Sequence, residues 1–181
     1  MTNPHQAGCA PGAATLSGRK IIEAIKEAGV RHIAALPDKT TSHGLLFPIA
    51  SDPGFHLIRM CKEDEGVAVC VGLAFCKKRS LLMIQSTGML YSINALRGMA
   101  VEYQQPVCMI VGLLAKEPGV RPTDSAKYGV RIVEPILDAM GIAHRLIETD
   151  NDIPKIKETI DQAYAHSRPA ALLVGQSPVA S

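Results

Sequence analysis

Residues Met60–Arg79 read MCKEDEGVAVCVGLAFCKKR, with three consecutive acids, Glu63, Asp64 and Glu65, directly before a run of small apolar residues. Carboxylates in that position can do two kinds of work. In the first turn of a helix each complements the helix dipole, stabilising by about 0.3–1 kcal/mol. A carboxyl buried beside an apolar helix instead needs a partner or takes a raised pKa, which suits it to share a proton with a bound group. Asp64 and Glu65 are well covered by the first account. The run that follows is apolar on nearly all sides and contains Gly66 and Gly72. Glycine inside a helix costs about 1 kcal/mol against alanine. Two of them are expected to mark the close approach of another backbone, such as that of another subunit, and a helix apolar all round is expected to be buried.

Other side chains with chemical potential stand in loops. Asp38 follows Pro37, where an aspartate can also simply stabilise its own turn. Lys39, Lys116, Arg121 and Lys127 are loop cations that could hold an anionic group, although a solvated surface cation is the plainer reading of each. His43 is a candidate acid–base group or a polar loop residue. Ser86, Thr87 and Gly88 form a turn after an apolar segment. The six histidines are scattered along the chain.

The elements that must position these residues alternate. Short apolar segments at His32–Leu36, Phe55–Met60, Ser80–Ser86, Pro106–Leu114, Ala143–Glu148 and Ala170–Gly175 read as strands. Helical spacing predicts helices over Leu16–Ala28, Gly44–Ala50, the stretch after Met60, Gly88–Tyr103, Ile132–Met140 and Ile153–Ala165. Strands apolar throughout, alternating with helices, predict an α/β fold. It is a doubly wound, mainly parallel sheet of about six strands with helices on both faces. Ligands in such sheets sit beyond the carboxyl ends of the strands. That places the loops at Pro37–Gly44, Cys61–Gly66, Gln85–Tyr91 and Ala115–Gly129 at the functional edge.

Composition narrows the classes. With 181 residues, 47% hydrophobic and 20% charged, the chain suits one globular domain. Residues 16–181 are assigned to it, and the Gly/Ala/Pro-rich residues 1–15 to a flexible arm. A net charge of +2 and 4% aromatics argue against nucleic acid as a partner. The longest apolar run, Val67–Cys76, has ten residues, against the roughly 20 that span a bilayer. Five cysteines without a Cys-x-x-Cys pair fit reduced thiols in a cytoplasmic protein. Four of them lie in segments expected in the core.

The sheet invites a nucleotide, yet the sequence has no GxGxxG after its first strand and no GxxxxGK[ST]. It also lacks HExxH and GxSxG. No Gly-Asp-Gly with a later Asn-Asn pair is present. A phosphorylated cofactor would need its phosphates held by something else.

The segment KEDEGVAVCVGLAFCKKRSLLMIQSTGMLYSINAL, Lys62–Leu96, resembles the pyrimidine-binding (Pyr) domain of thiamine-diphosphate enzymes. The likeness is greatest to the alpha subunit of sulfopyruvate decarboxylase and the matching half of phosphonopyruvate decarboxylase. A looser likeness runs from about Gly18 to Gly175 and includes Leu-Pro-Asp after the first strand. The resemblance implies a doubly wound Pyr domain. It singles out Glu63, nine residues before Gly72, as the carboxyl that hydrogen-bonds N1′ of the cofactor's aminopyrimidine and activates it. It implies that Pro37, Ser86, Thr87 and Gly88 lie beside the pyrimidine, that Asp38 handles substrate protons, and that Lys39, His43 or Arg121 meets an anionic substrate tail. No metal ligand is assigned to this chain: a beta subunit carrying GDG…NN would hold the diphosphate and Mg²⁺ of thiamine diphosphate. The implied activity is decarboxylation of a 2-oxo acid, with sulfopyruvate leading, by a hetero-oligomer in which this chain alone is inert. Leu90, Tyr91 and the loop 115–129 depart from the family pattern near where the substrate is expected. A phosphonopyruvate-type decarboxylase or a carboligase subunit is the alternative within enzymes, and a non-catalytic binding module the alternative outside them.

Overall fold

Segments that are apolar at every position can be satisfied only where both faces of a sheet are covered. Two central strands, β3 (Ser80–Gln85) and β4 (Cys108–Gly112), do this, being buried along nearly their whole length. The computed structural model describes residues 15–180; the arm expected at 1–15 falls outside them except for its last residue. Around β3 and β4 lie β1 (His32–Ala35), β2 (His56–Arg59), β5 (Ala143–Ile147) and β6 (Ala170–Val174), in the order β2-β1-β3-β4-β6-β5. Every pairing is parallel, so the sheet is wholly rather than mainly parallel.

Helices cover both faces. On one face α1 (Gly18–Glu27), α2 (Phe47–Ala50) and α8 (Pro154–His166) pack with Ile33, Leu81 and Leu172. On the other, α3 (Glu63–Phe75) and α7 (Val133–Ala139) pack with Leu82, Met109 and Leu173. The predicted helix over Gly88–Tyr103 is broken: α4 (Ser86–Tyr91) and α5 (Ile93–Ala95) lead into a π-helical segment, Leu96–Glu102. A second π-helical turn, Ser42–Leu46, precedes α2. The loop 115–129 is ordered by a 3₁₀ turn at Pro122–Asp124 and runs into α6 (Tyr128–Arg131).

The chain closes on itself through glycine. The backbones of Gly18, Gly44 and Pro178 cross so tightly that a Cβ at Gly18 would lie 2.1 Å from the Gly44 carbonyl oxygen, and one at Gly44 2.1 Å from that of Pro178. Gly18 N–H donates to the Val179 carbonyl and Val179 N–H to that of Leu16, at 3.0 and 2.8 Å.

Two expectations need correction. Helix α3 is not buried all round: Gly66, Val67 and Cys70 face the sheet, whereas Ala68, Gly72 and Phe75 are exposed. Gly66 does mark close packing, against Leu82 and Met60, but a Cβ at Gly72 would meet nothing within 4 Å. A helix lying on one face of a sheet offers only one side to it, whatever its composition. Likewise Cys70 and Cys108 are in the core, but Cys61 and Cys76 are exposed because they flank α3 instead of facing β3.

Candidate functional site

The strand order places β1 between β2 and β3, so the chain leaves the ends of β1 and β3 in opposite directions. That divergence opens a crevice at the carboxyl ends of the two strands. Pro37 and Asp38 follow β1, Ser86–Gly88 follow β3, and α3 packs against both strands.

The three acids at the start of α3 have different fates. Glu65 Oε2 accepts the N–H groups of Cys61 and Lys62 at 3.3 Å, the reach-back of a capping arrangement. Asp64 Oδ1 accepts the N–H of Glu65 at 3.1 Å. Both serve the helix start, as acids there should. Glu63 is half-buried, and no donor among the described residues bonds its carboxylate. It lies instead against Gly88, where a Cβ would come within 2.3 Å of Glu63 Cγ and 2.7 Å of Oε1. Glycine at 88 is what makes room for this side chain.

Similar seats occur further along the same edge. A Cβ at Gly112, the end of β4, would lie 3.2 Å from both Asp38 carboxylate oxygens. A Cβ at Gly175, after β6, would lie 2.5 Å from Glu148 Oε1. These two acids are engaged. Asp38 Oδ1 accepts the N–H groups of Thr40 and Thr41 at 2.6 Å, Oδ2 accepts the Thr41 hydroxyl, and Asp38 N–H donates to Ser42 Oγ at 2.7 Å. Glu148 is paired with Lys116, whose side chain has no exposure. Of the three carboxylates seated on glycine, only Glu63 lacks a donor among the described residues.

The remaining expected residues divide. Ser86 is buried and its Oγ accepts the Leu114 N–H at 3.4 Å. Thr87 is exposed and accepts Gln85 Nε2 at 2.9 Å. Both line a depression of about 360 Å³ with Leu114, Ala115, Lys127 and Tyr128. Pro37 lines a different, largely apolar depression of about 310 Å³ with Ala35, Phe47 and Met60. Lys39 and His43 are exposed on the Asp38 loop, outside both depressions. Arg121 is turned onto Asp124, with Nε 2.8 Å from Oδ2, and lines neither depression. The Lys116–Glu148 pair and the Gly112 and Gly175 seats carry no local sequence signal, since each joins residues from separate elements.

No helix among the described residues is long and apolar enough to cross a membrane. No group of three or more His, Cys, Asp or Glu side chains among them could hold a metal ion.

The doubly wound, wholly parallel sheet defines the class of the domain, an α/β fold with its crevice between β1 and β3. The crystal structure of benzoylformate decarboxylase from Polynucleobacter necessarius superposes with a TM-score of 0.62 over 92% of this chain and 32% of that one, at 14% identity, a likeness of fold. In sequence, the chain is 30% identical over 162 residues to sulfopyruvate decarboxylase of Methanosarcina acetivorans, covering 86% of this chain and 39% of that protein. It is 27% identical over 158 residues to sulfopyruvate decarboxylase subunit alpha of Methanocaldococcus jannaschii, covering 84% and 89%. The corresponding subunit of Methanococcus maripaludis matches at 26% over 91 residues, 54% of its length. No family profile matches. The resemblance read from Lys62–Leu96 is therefore borne out: along most of its length the chain is similar to a sulfopyruvate decarboxylase and to a sulfopyruvate decarboxylase subunit alpha. It spans 39% of the first of these relatives and most of the Methanocaldococcus subunit.

Proposed function

We propose that this chain is the Pyr (alpha) subunit of a two-subunit, thiamine-diphosphate-dependent 2-oxo acid decarboxylase that converts sulfopyruvate to sulfoacetaldehyde and CO₂. The observation that carries this reading is the Glu63 carboxyl. It is held against Gly88 at the crevice between β1 and β3, with no donor of its own chain bonded to it. A carboxylate placed so is available to a bound group, while its neighbours Asp64 and Glu65 are occupied at the helix start.

The residues present fit the pyrimidine half of the cofactor. Glu63 would hold a proton at the ring nitrogen N1′, and Gly88 leaves the gap that keeps the carboxyl in reach. Ser86 fixes the turn by accepting the Leu114 N–H, which ties the end of β3 to the end of β4. Asp38 shapes the loop after β1, with its acceptors filled from within that loop. Thiamine diphosphate, when bound, supplies a thiazolium that accepts the electrons released with CO₂. The diphosphate and Mg²⁺ fall to the beta subunit. The exposed face of α3, at Ala68, Gly72 and Phe75, is the surface this reading gives to a partner.

The test is reconstitution. Mixed with its partner subunit and cofactor, the chain is expected to release CO₂ from sulfopyruvate. Glu63→Gln is expected to lower turnover by about 100-fold or more, the range for a lost acid–base group. Wild-type turnover by that variant would overturn the reading.

A further inference from the structure

The substrate expected for this site carries an anionic tail, and several loop cations could receive it. The structure separates them. Arg121 is engaged by Asp124. The Lys116 side chain is wholly buried, with its ammonium on Glu148 and on the Glu117 carbonyl, the latter at 3.0 Å. Lys39 stands outside the depression beside Ser86 and Thr87. Lys127 lines that depression, is exposed, and forms no ion pair among the described residues. The carboxylate whose field it shares is Glu117, and that group accepts the Ser125 hydroxyl at 2.6 Å.

Thr87 lines the same depression, and its Oγ1 accepts from Gln85 Nε2, which leaves its O–H free to donate. No acid lines the depression. Gly88, next in the chain, carries the Glu63 seat. The cation and the hydroxyl donor thus line one depression, and the turn that carries Thr87 also carries the Glu63 seat.

We propose that Lys127, together with the Thr87 hydroxyl, binds the anionic tail of the 2-oxo acid and sets substrate choice. This rests on the decarboxylase reading above and deepens it. A sulfonate or phosphonate offers several oxygen acceptors to the three donors of an ammonium, and charge-assisted hydrogen bonds of this kind are the strong ones.

The experiment compares sulfopyruvate with pyruvate, which keeps the 2-oxo acid and lacks the charged tail, in the complex of this chain with its partner. Lys127→Met is expected to lower kcat/KM for sulfopyruvate about 10- to 100-fold, chiefly through KM, and to leave pyruvate within about twofold. Lys127→Arg is expected to keep most of the sulfopyruvate activity, and Arg121→Met nearly all of it. Calorimetric binding of ethanesulfonate, the tail without the 2-oxo acid, is expected to weaken by a similar factor in Lys127→Met. Equal loss on both substrates, no loss on either, or unchanged ethanesulfonate binding overturns this proposal and leaves the Glu63 reading standing. A wild-type complex that decarboxylates neither acid, or that tolerates Glu63→Gln, overturns both.

Discussion

Two carboxylates sit on glycines at the same edge of the sheet and differ in what surrounds them. Asp38, against Gly112, receives two backbone N–H groups and a hydroxyl from its own loop. Glu63, against Gly88, receives nothing from the described residues. A half-buried carboxylate with filled acceptors shapes a loop. One without them is held by packing against its glycine and keeps its acceptors open to solvent or to a bound group. The contrast teaches that two acids at the same carboxyl edge can differ in the state of their hydrogen bonds, one closed within its loop and one open.

The comparison can be broken most sharply by exchanging charge for amide. Glu63→Gln is expected to abolish nearly all turnover of the assembled enzyme while leaving the melting temperature unchanged. A Tm fall of several degrees would make Glu63 a structural acid like Asp38. Next in size, Gly88→Ala puts a Cβ where Glu63 Cγ now lies. The carboxyl must move, and turnover is expected to fall about 10- to 100-fold. Because alanine favours a helix over glycine, Tm is expected to hold or rise. Unchanged turnover would show that the seat does not position Glu63.

Asp38→Ala should behave oppositely. It orphans the N–H groups of Thr40 and Thr41, and a loss of about 2 kcal/mol is expected. That corresponds to a Tm lower by about 4–8 °C for a chain of this length. A turnover loss with unchanged Tm would instead return Asp38 to the chemistry.

The smallest effect concerns Asp152, another carboxylate bound by its own loop. Partial burial works against its charged form. Hydrogen bonds from Lys155, the N–H groups of Glu148 and Thr149 and the Thr149 hydroxyl outweigh this and hold its pKa down to about 2. A folded-state pKa below the unfolded value of 3.8 contributes stability above that value, lost as pH falls from about 4 towards 2. Urea midpoints measured across that range should fall less steeply for Asp152→Asn than for wild type; identical slopes would show that this carboxylate is not linked to folding.

Much of this was legible before any coordinates. The continuous apolar character of β3 and β4 foretold a sheet covered on both faces, and the alternation foretold its parallel crossovers. The family likeness of Lys62–Leu96 pointed to Glu63 through its spacing to Gly72. Yet Gly72 itself faces open space, and the glycine in contact with Glu63 is Gly88, on another element. Such seats join residues far apart in sequence, so no periodicity reports them. The two π-helical segments were hidden for a related reason. A π turn shifts the hydrogen-bond pattern by one residue without changing which residues are apolar. The edge strand β2, HLIR, was legible as a strand, and its polar ends, His56 and Arg59, are exposed at the sheet's margin.

The crossing of Gly18, Gly44 and Pro178 has a consequence for synthesis. The first turn of α1 acquires its bond to the Val179 carbonyl, and Val179 its bond to Leu16, only once residues through 179 have left the ribosome. Loop-closure entropy is greatest for such distant pairs. Helix α1 and the turn at Ser42–Leu46 can therefore form early, but their final clasp waits for the segment around residue 179. A nascent chain stalled before that point would carry most of its sheet with its opening helix still unfastened.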